Sequence, residues 1–151
     1  MIIAIGCDHA GFVLKNTVIE RVKRNGHTFM DMGTDNPQTS VDYPDFAARV
    51  AEAVSSGKAW RGILLCGSGI GVSITANKHK GVRAGLCHDT YSAGQGVAHE
   101  DMNILCMGGR VIGESLACSI TDTFLNTVFS NEPRHARRLE KLKAIESRNM
   151  K

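Results

Sequence analysis

Short apolar runs and helical patterns alternate along the chain from its first residues. Residues 2–5 form a continuous apolar run, the pattern of a strand buried on both faces, and lead into Gly6-Cys7-Asp8-His9. Leu14, Val18 and Val22 then recur at four-residue spacing, the stripe of an amphipathic helix that Gly26 closes. Residues 28–32 predict a second strand, weaker because it is short and contains Asp31, and a polar stretch with Asn36-Pro37 follows as a loop. Tyr43-Pro44 opens the next helix, with Phe46, Val50 and Val54 on one face and Gly57 past its end. The clearest strand, residues 62–66, runs into Gly67-Ser68-Gly69-Ile70-Gly71 and a helical run to Lys78. Residues 83–87 predict a fourth strand, 90–98 a short helix and 103–107 a fifth strand. Leu116, Ile120 and Phe124 mark a further helix. After Pro133 comes the last one, with Leu139, Leu142 and Ile145 as its apolar seam.

Repeated strand–helix units whose strands are apolar throughout imply a parallel sheet covered on both faces. The pattern predicts a single doubly wound α/β domain over residues 1–151: a five-stranded parallel sheet, helices on both faces and a basic helix at the C-terminal end. In such folds ligands sit beyond the carboxyl ends of the strands. That rule selects three places here: Asp8-His9, Cys66 to Gly71, and the segment after Cys87 that reaches His99.

Composition narrows the class. A chain of 151 residues, 42% hydrophobic and 22% charged, has the balance of an ordinary globular domain, which argues against intrinsic disorder, collagen and coiled coil. No apolar run approaches the ~20 residues of a membrane-spanning helix, and the opening residues lack the basic start of a secretory signal. The expectation is a cytoplasmic protein with no membrane partner. Five cysteines without C-x-x-C or a neighbouring paired His favour free thiols over a disulfide framework or a metal site.

The net charge of +3 is unevenly placed: from Arg134 onward seven Lys/Arg face two Asp/Glu, or +5, and the rest carries eleven against thirteen, or −2. Arg134 and Arg138 share one helix face. That segment reads as a solvated charged surface, as an arginine clamp for a phosphate, or as a nucleic-acid contact. The last reading is weak, because there are only two Tyr and one Trp and no basic stripe elsewhere.

The glycine segment is the strongest local signal. Gly67, Gly69 and Gly71 follow a strand and open a helix, so backbone N–H groups can face an anion. The spacing is G-x-G-x-G, with Val72 where a dinucleotide fingerprint needs its third glycine and no Lys-Ser/Thr of a P-loop. Three readings stay open: a phosphate site, an oxyanion cradle or a plain tight turn. Cys66 stands directly before these amides. It is either a core thiol, as Cys106 and Cys118 are expected to be, or a nucleophile or proton-transfer group favoured by the helix terminus. His9, preceded by Asp8, and His99 are candidates because imidazole titrates near neutral pH. His27, His79, His88 and His135 carry less.

Together, Gly6-Cys-Asp-His-Ala-Gly11, Asp42-Tyr-Pro44, Cys66-Gly-Ser-Gly-Ile-Gly-Val-Ser73, Ala76-Asn-Lys78, His99 with Asn103, and Arg134-His resemble ribose-5-phosphate isomerase type B, a group that includes the galactose-6-phosphate isomerase subunits. The resemblance runs nearly end to end. It implies a cofactor-free, metal-free aldose–ketose isomerase acting on ribose 5-phosphate and ribulose 5-phosphate through a cis-enediolate. Cys66 then corresponds to the base between C2 and C1, with the amides of Gly67, Gly69, Ile70 and Gly71 around the oxyanion and Ser68 close to the exchanging hydroxyls. His99 corresponds to the group that opens the furanose ring, with Asp8 and Tyr43 binding nearby oxygens. His9, Arg110, Arg134 and Arg138 match phosphate-binding positions. In the family the terminal arginines reach the neighbouring subunit, which implies a homodimer with shared sites, or a tetramer built from it. Position 100 departs from the pattern: Glu100 stands where many relatives have Asn, and a carboxylate accepts hydrogen bonds without donating them. The rival readings are isomerisation of a six-carbon aldose phosphate, allose or galactose 6-phosphate, and a non-catalytic phosphate- or nucleotide-binding module.

Overall fold

The computed structural model describes residues 1–150. Its elements run β1 (Ile2–Cys7), α1 (Phe12–Arg24), β2 (Thr28–Asp31), α2 (Tyr43–Ser55), β3 (Arg61–Cys66), α3 (Ile70–Ala76), β4 (Ala84–Leu86), α4 (Thr90–Glu100), β5 (Ile104–Gly108), α5 (Glu114–Asn126) and α6 (Pro133–Asn149). All five strands pair in parallel, in the order β2-β1-β3-β5-β4. The expected α/β architecture is therefore present, and β3, buried at every position, lies in the middle.

Side-chain alternation sorts the core into two layers. Ile3, Ile5, Ile63, Leu65, Leu105 and Met107 point to one face, where α1, α4 and α5 cover them. Ala4, Leu64, Cys66, Ile104 and Cys106 point to the other, under α2 and α3. The period of two along each strand sends neighbouring residues to opposite faces, so strands buried on both sides read as near-continuous apolar runs.

The edges depart from the sequence reading in instructive ways. β4 is three residues long, shorter than the expected run from 83 to 87, because it lies at the sheet's edge and pairs only with β5. α3 ends at Ala76, two residues before Lys78, where the Asn77 side chain bonds the backbone of Ala84 and halts the helix. On α5 the buried positions are Ala117, Ile120, Thr121, Phe124 and Leu125, whereas Leu116 is exposed; Cys118, expected in the core, is half-buried. On α6 only His135 and Leu139 are buried, and Leu142 and Ile145 of the expected seam stand open. No helix among the described residues is long and apolar enough to cross a membrane.

One charged residue breaks the apolar face of α1. The side chain of Lys15 is buried and its Nζ reaches Asp31 at 2.7 Å, the carbonyl of Thr34 at 2.9 Å and Asp35 at 3.3 Å. A buried ammonium is retained only where its donors are satisfied. Here those partners pin the start of the loop from 32 to 42, which delivers Tyr43 and Val41 to the carboxyl edge of the sheet.

Candidate active site

A cleft of about 450 Å³ opens at the carboxyl ends of β1 and β3, lined by Asp8, His9, Tyr43, Cys66, Gly67, Ser68, Gly71 and Arg110 among others. Two of the three places selected by the strand-end rule meet in it. Cys66 is the last residue of β3 and is 5% exposed, yet its side chain borders the cleft. The Gly69 N–H donates to Cys66 Sγ at 3.0 Å. That amide is committed to the sulfur rather than to a substrate oxygen, and the Ile70 N–H donates to Ser68 Oγ at 3.3 Å. The oxyanion cradle expected from the whole run is thus narrower: the N–H groups of Gly67, Ser68 and Gly71 are those without an acceptor among the described residues.

Glycine is required at Gly69 twice over. Its φ of +80° lies in the left-handed region, and a Cβ there would stand 2.5 Å from Leu86 Cδ1 and 3.0 Å from the Met107 carbonyl carbon. Gly69→Ala is expected to cost roughly 2–5 kcal/mol from backbone strain and overpacking together. That lowers Tm by about 5 °C or more for a domain of this size. Calorimetry checks it; a melt superimposable on the unsubstituted protein would show that the loop is not built this way. At Gly71 the missing side chain is replaced by the Tyr43 ring, whose Cε2 and Cζ would lie 2.7 Å from a Cβ. Gly67 likewise seats the Arg110 side chain, with Nη1 3.4 Å from the position of a Cβ.

The opposite wall is built for an anion. His9 Nδ1 accepts the Val41 N–H at 3.2 Å, so in the neutral ring the proton sits on Nε2 as a donor. Arg110 supplies guanidinium donors beside it. Asp8 Oδ1 accepts from the N–H groups of Ala10 and Gly11, both at 2.9 Å, and these bonds fix the carboxylate at the cleft and leave Oδ2 for a hydroxyl. The other core cysteines are unsuited to proton transfer: burial pushes Cys7 and Cys87 up to about 11, and Cys106 in the same direction.

The third place selected by the rule does not join this cleft. A helix connecting two parallel strands runs back against them, so α4 starts at the carboxyl edge and carries His99 and Glu100, on its last turn, to the amino-terminal end of the sheet. α5 descends the same way, and α6 begins beside that end, with Ser130 N bonding the Ala98 carbonyl at 3.0 Å. His99 therefore stacks on His135, ring centroids 3.9 Å apart. Arg134 pairs with Glu132 at 3.2 Å. Glu100 and Arg138 border a separate hollow of about 880 Å³ between β4, α4 and α6, largely apolar through Val82, Leu86, Leu142 and Ile145. Within one chain the residues matched to the site fall in two separate groups. Lys15 and Val41 carry no motif of their own, although a lysine inside an apolar stripe is a sign that a buried partner awaits it, and His135 enters only as the neighbour of Arg134.

A thiol at the end of a central parallel strand, with free amides on one side and an imidazole and a guanidinium on the other, defines an α/β enzyme that handles small anionic substrates. A profile of the Ribose/Galactose Isomerase family matches residues 3–142. Ribose-5-phosphate isomerase B of Escherichia coli is 43% identical over 146 residues, 97% of each chain. D-erythrulose-4-phosphate isomerase of Pectobacterium atrosepticum is 44% identical over 127 residues, 84% of each. The structure of ribose-5-phosphate isomerase B from Clostridium thermocellum superposes with a TM-score of 0.93 at 47% identity, covering 98% of this chain and 99% of that one. The chain belongs to the Ribose/Galactose Isomerase family and is an aldose–ketose isomerase.

Proposed function

We propose that this enzyme interconverts ribose 5-phosphate and ribulose 5-phosphate. The observation that carries the reading is Cys66 at the wall of a cleft that also holds Asp8, with the Gly69 N–H on its Sγ. In that geometry the thiolate removes the proton from C2 of the open-chain aldose, and the C–H electron pair forms the C1–C2 double bond of a cis-enediolate. The negative charge passes to O1, where the N–H groups of Gly67, Ser68 and Gly71 stand ready without reorganising. Ser68 Oγ relays the proton between O1 and O2, and the Cys66 thiol returns its proton to C1. His9 and Arg110 hold the phosphate. Charge-assisted donors on a dianion give the binding energy that keeps a small, flexible sugar in register.

One copy supplies only half of this site. We assign His99, Glu100, Arg134 and Arg138 to the cleft of a second copy, so that a dimer closes two sites with residues of both. Support comes from the open apolar hollow beside Arg138, with Leu86 and Leu142 each 39% exposed and Ile145 52% exposed, more than a monomer's surface calls for. Arg138→Ala is expected to raise KM for ribose 5-phosphate about tenfold or more, with little effect on unphosphorylated ribose. Equal effects on both would contradict a phosphate clamp.

A second reading is a six-carbon aldose phosphate as the preferred substrate; it is favoured by the family's span from ribose to galactose isomerases and by the carboxylate of Glu100 beside His99. A panel of four-, five- and six-carbon aldose phosphates assayed with the purified protein, with deuterium uptake from heavy water as a parallel readout, decides between them. The highest kcat/KM on ribose 5-phosphate supports the first reading; a six-carbon optimum replaces it.

A further inference from the structure

His135 is the most deeply buried side chain of α6, and the proton chemistry described above makes no use of it. Its ring is 2% exposed, its Nδ1 lies 2.6 Å from Ser130 Oγ, and the His99 ring is stacked on it with centroids 3.9 Å apart and planes inclined by 25°. The Ser130 N–H is in turn held by the Ala98 carbonyl, next to His99 on α4. Backbone and side chain of Ser130 thus lock the last turn of α4 to the first turn of α6 around the two rings. A solvent-facing imidazole gains such a backing only when another element supplies it.

We propose that His135 is a positioning residue for ring opening: held by Ser130, it backs the His99 ring and sets the plane in which His99 meets the sugar's ring oxygen. The inference rests on the reading of His99 as the ring-opening group. In that step the C1–O4 bond breaks and its electron pair stays on O4, which takes a proton from His99. The O1–H bond pair becomes the second bond of the C1 carbonyl, and its proton leaves to water, from which His99 is reprotonated. His99 must therefore hold a proton, with its N–H aimed at an in-plane lone pair.

The surroundings of the pair fit that demand. His135 faces His99 from α4 and Glu132, Arg134 and Arg138 on its own segment; burial first, then His99 and the two arginines, hold it below the ordinary histidine range, while Glu132 opposes them. Two stacked imidazoles take up one proton far more readily than two. A His135 ring held neutral gives His99 an uncharged flat face to stack on.

Ribulose 5-phosphate provides the test, because with O5 phosphorylated it has no hydroxyl placed to close a five-membered ring and is open-chain. Solvent exchange of its C1 proton needs the enediolate step and no ring opening, whereas turnover of ribose 5-phosphate needs both. His135→Ala is expected to lower turnover of ribose 5-phosphate about tenfold to a hundredfold, within the range of general acid catalysis, and to leave C1 exchange within about twofold. His135→Phe, which keeps a flat ring under His99, is expected to recover most of the turnover. Ser130→Ala, the mildest change, should move the same ratio in the same direction and serves if the alanine variant at 135 does not fold. Parallel loss of exchange and turnover, or no loss of either, overturns the positioning role. His99→Asn is run beside them: if it shows the split and His135→Ala does not, the positioning proposal fails alone, and if it shows none, the ring-opening reading of His99 fails instead.

Discussion

Cys66→Ala abolishes solvent exchange at C2 of ribose 5-phosphate and lowers turnover by about a thousandfold or more, while affinity for the sugar phosphate changes less than about threefold. A positioned general base contributes on the order of 10²–10⁴ in rate, and among the described residues Cys66 is the thiol that lines the cleft, the other core thiols being buried away from it. The substitution removes one sulfur atom from the wall and leaves the phosphate donors His9 and Arg110 untouched, so binding measured by calorimetry separates loss of chemistry from loss of the site. Turnover within tenfold of the unsubstituted enzyme would remove the thiol from the mechanism. Cys66→Ser is the sharper control, since it keeps the shape and replaces the thiol by a hydroxyl that stays protonated at neutral pH.

Mixing two inactive variants is expected to recover activity. Cys66→Ala and His99→Ala each lose turnover alone, but when unfolded together and refolded at equal amounts, half of the dimers carry one of each chain. Each such dimer has one site with both an intact thiol and an intact imidazole, and one site with neither. The mixture should therefore regain about a quarter of the full activity, against a background near zero for either variant alone. The physical basis is topological: α4 returns antiparallel to the strands, so no rotamer change within one chain brings His99 to Cys66. Activity that stays at background after verified mixing would show that the two groups do not share a site across copies.

Much of this was legible before any coordinates. The apolar run of β3, the glycines after it and the thiol between them are local features. Strand periodicity requires residues buried on both faces, and glycines directly after a strand mark a tight turn. Less legible were contacts whose partners are far apart in sequence. His9 is set by Val41, 32 residues on, and Lys15 by Asp31 and Thr34. His135 carried little weight as one histidine among six, yet it is the one stacked on His99.

The sequence by itself determined the alternation of strands and helices, the two-faced burial of the sheet and the chemistry gathered at the end of β3, because each depends on residues within a few positions of one another. Only the tertiary structure decided which ends of those elements meet. Strand order, the return direction of α4 and the docking of α6 follow from pairing and packing across the whole chain, and they separate His99 from the thiol of its own chain. A motif carries the identity of its residues, whereas the distance between two motifs is set by everything folded between them.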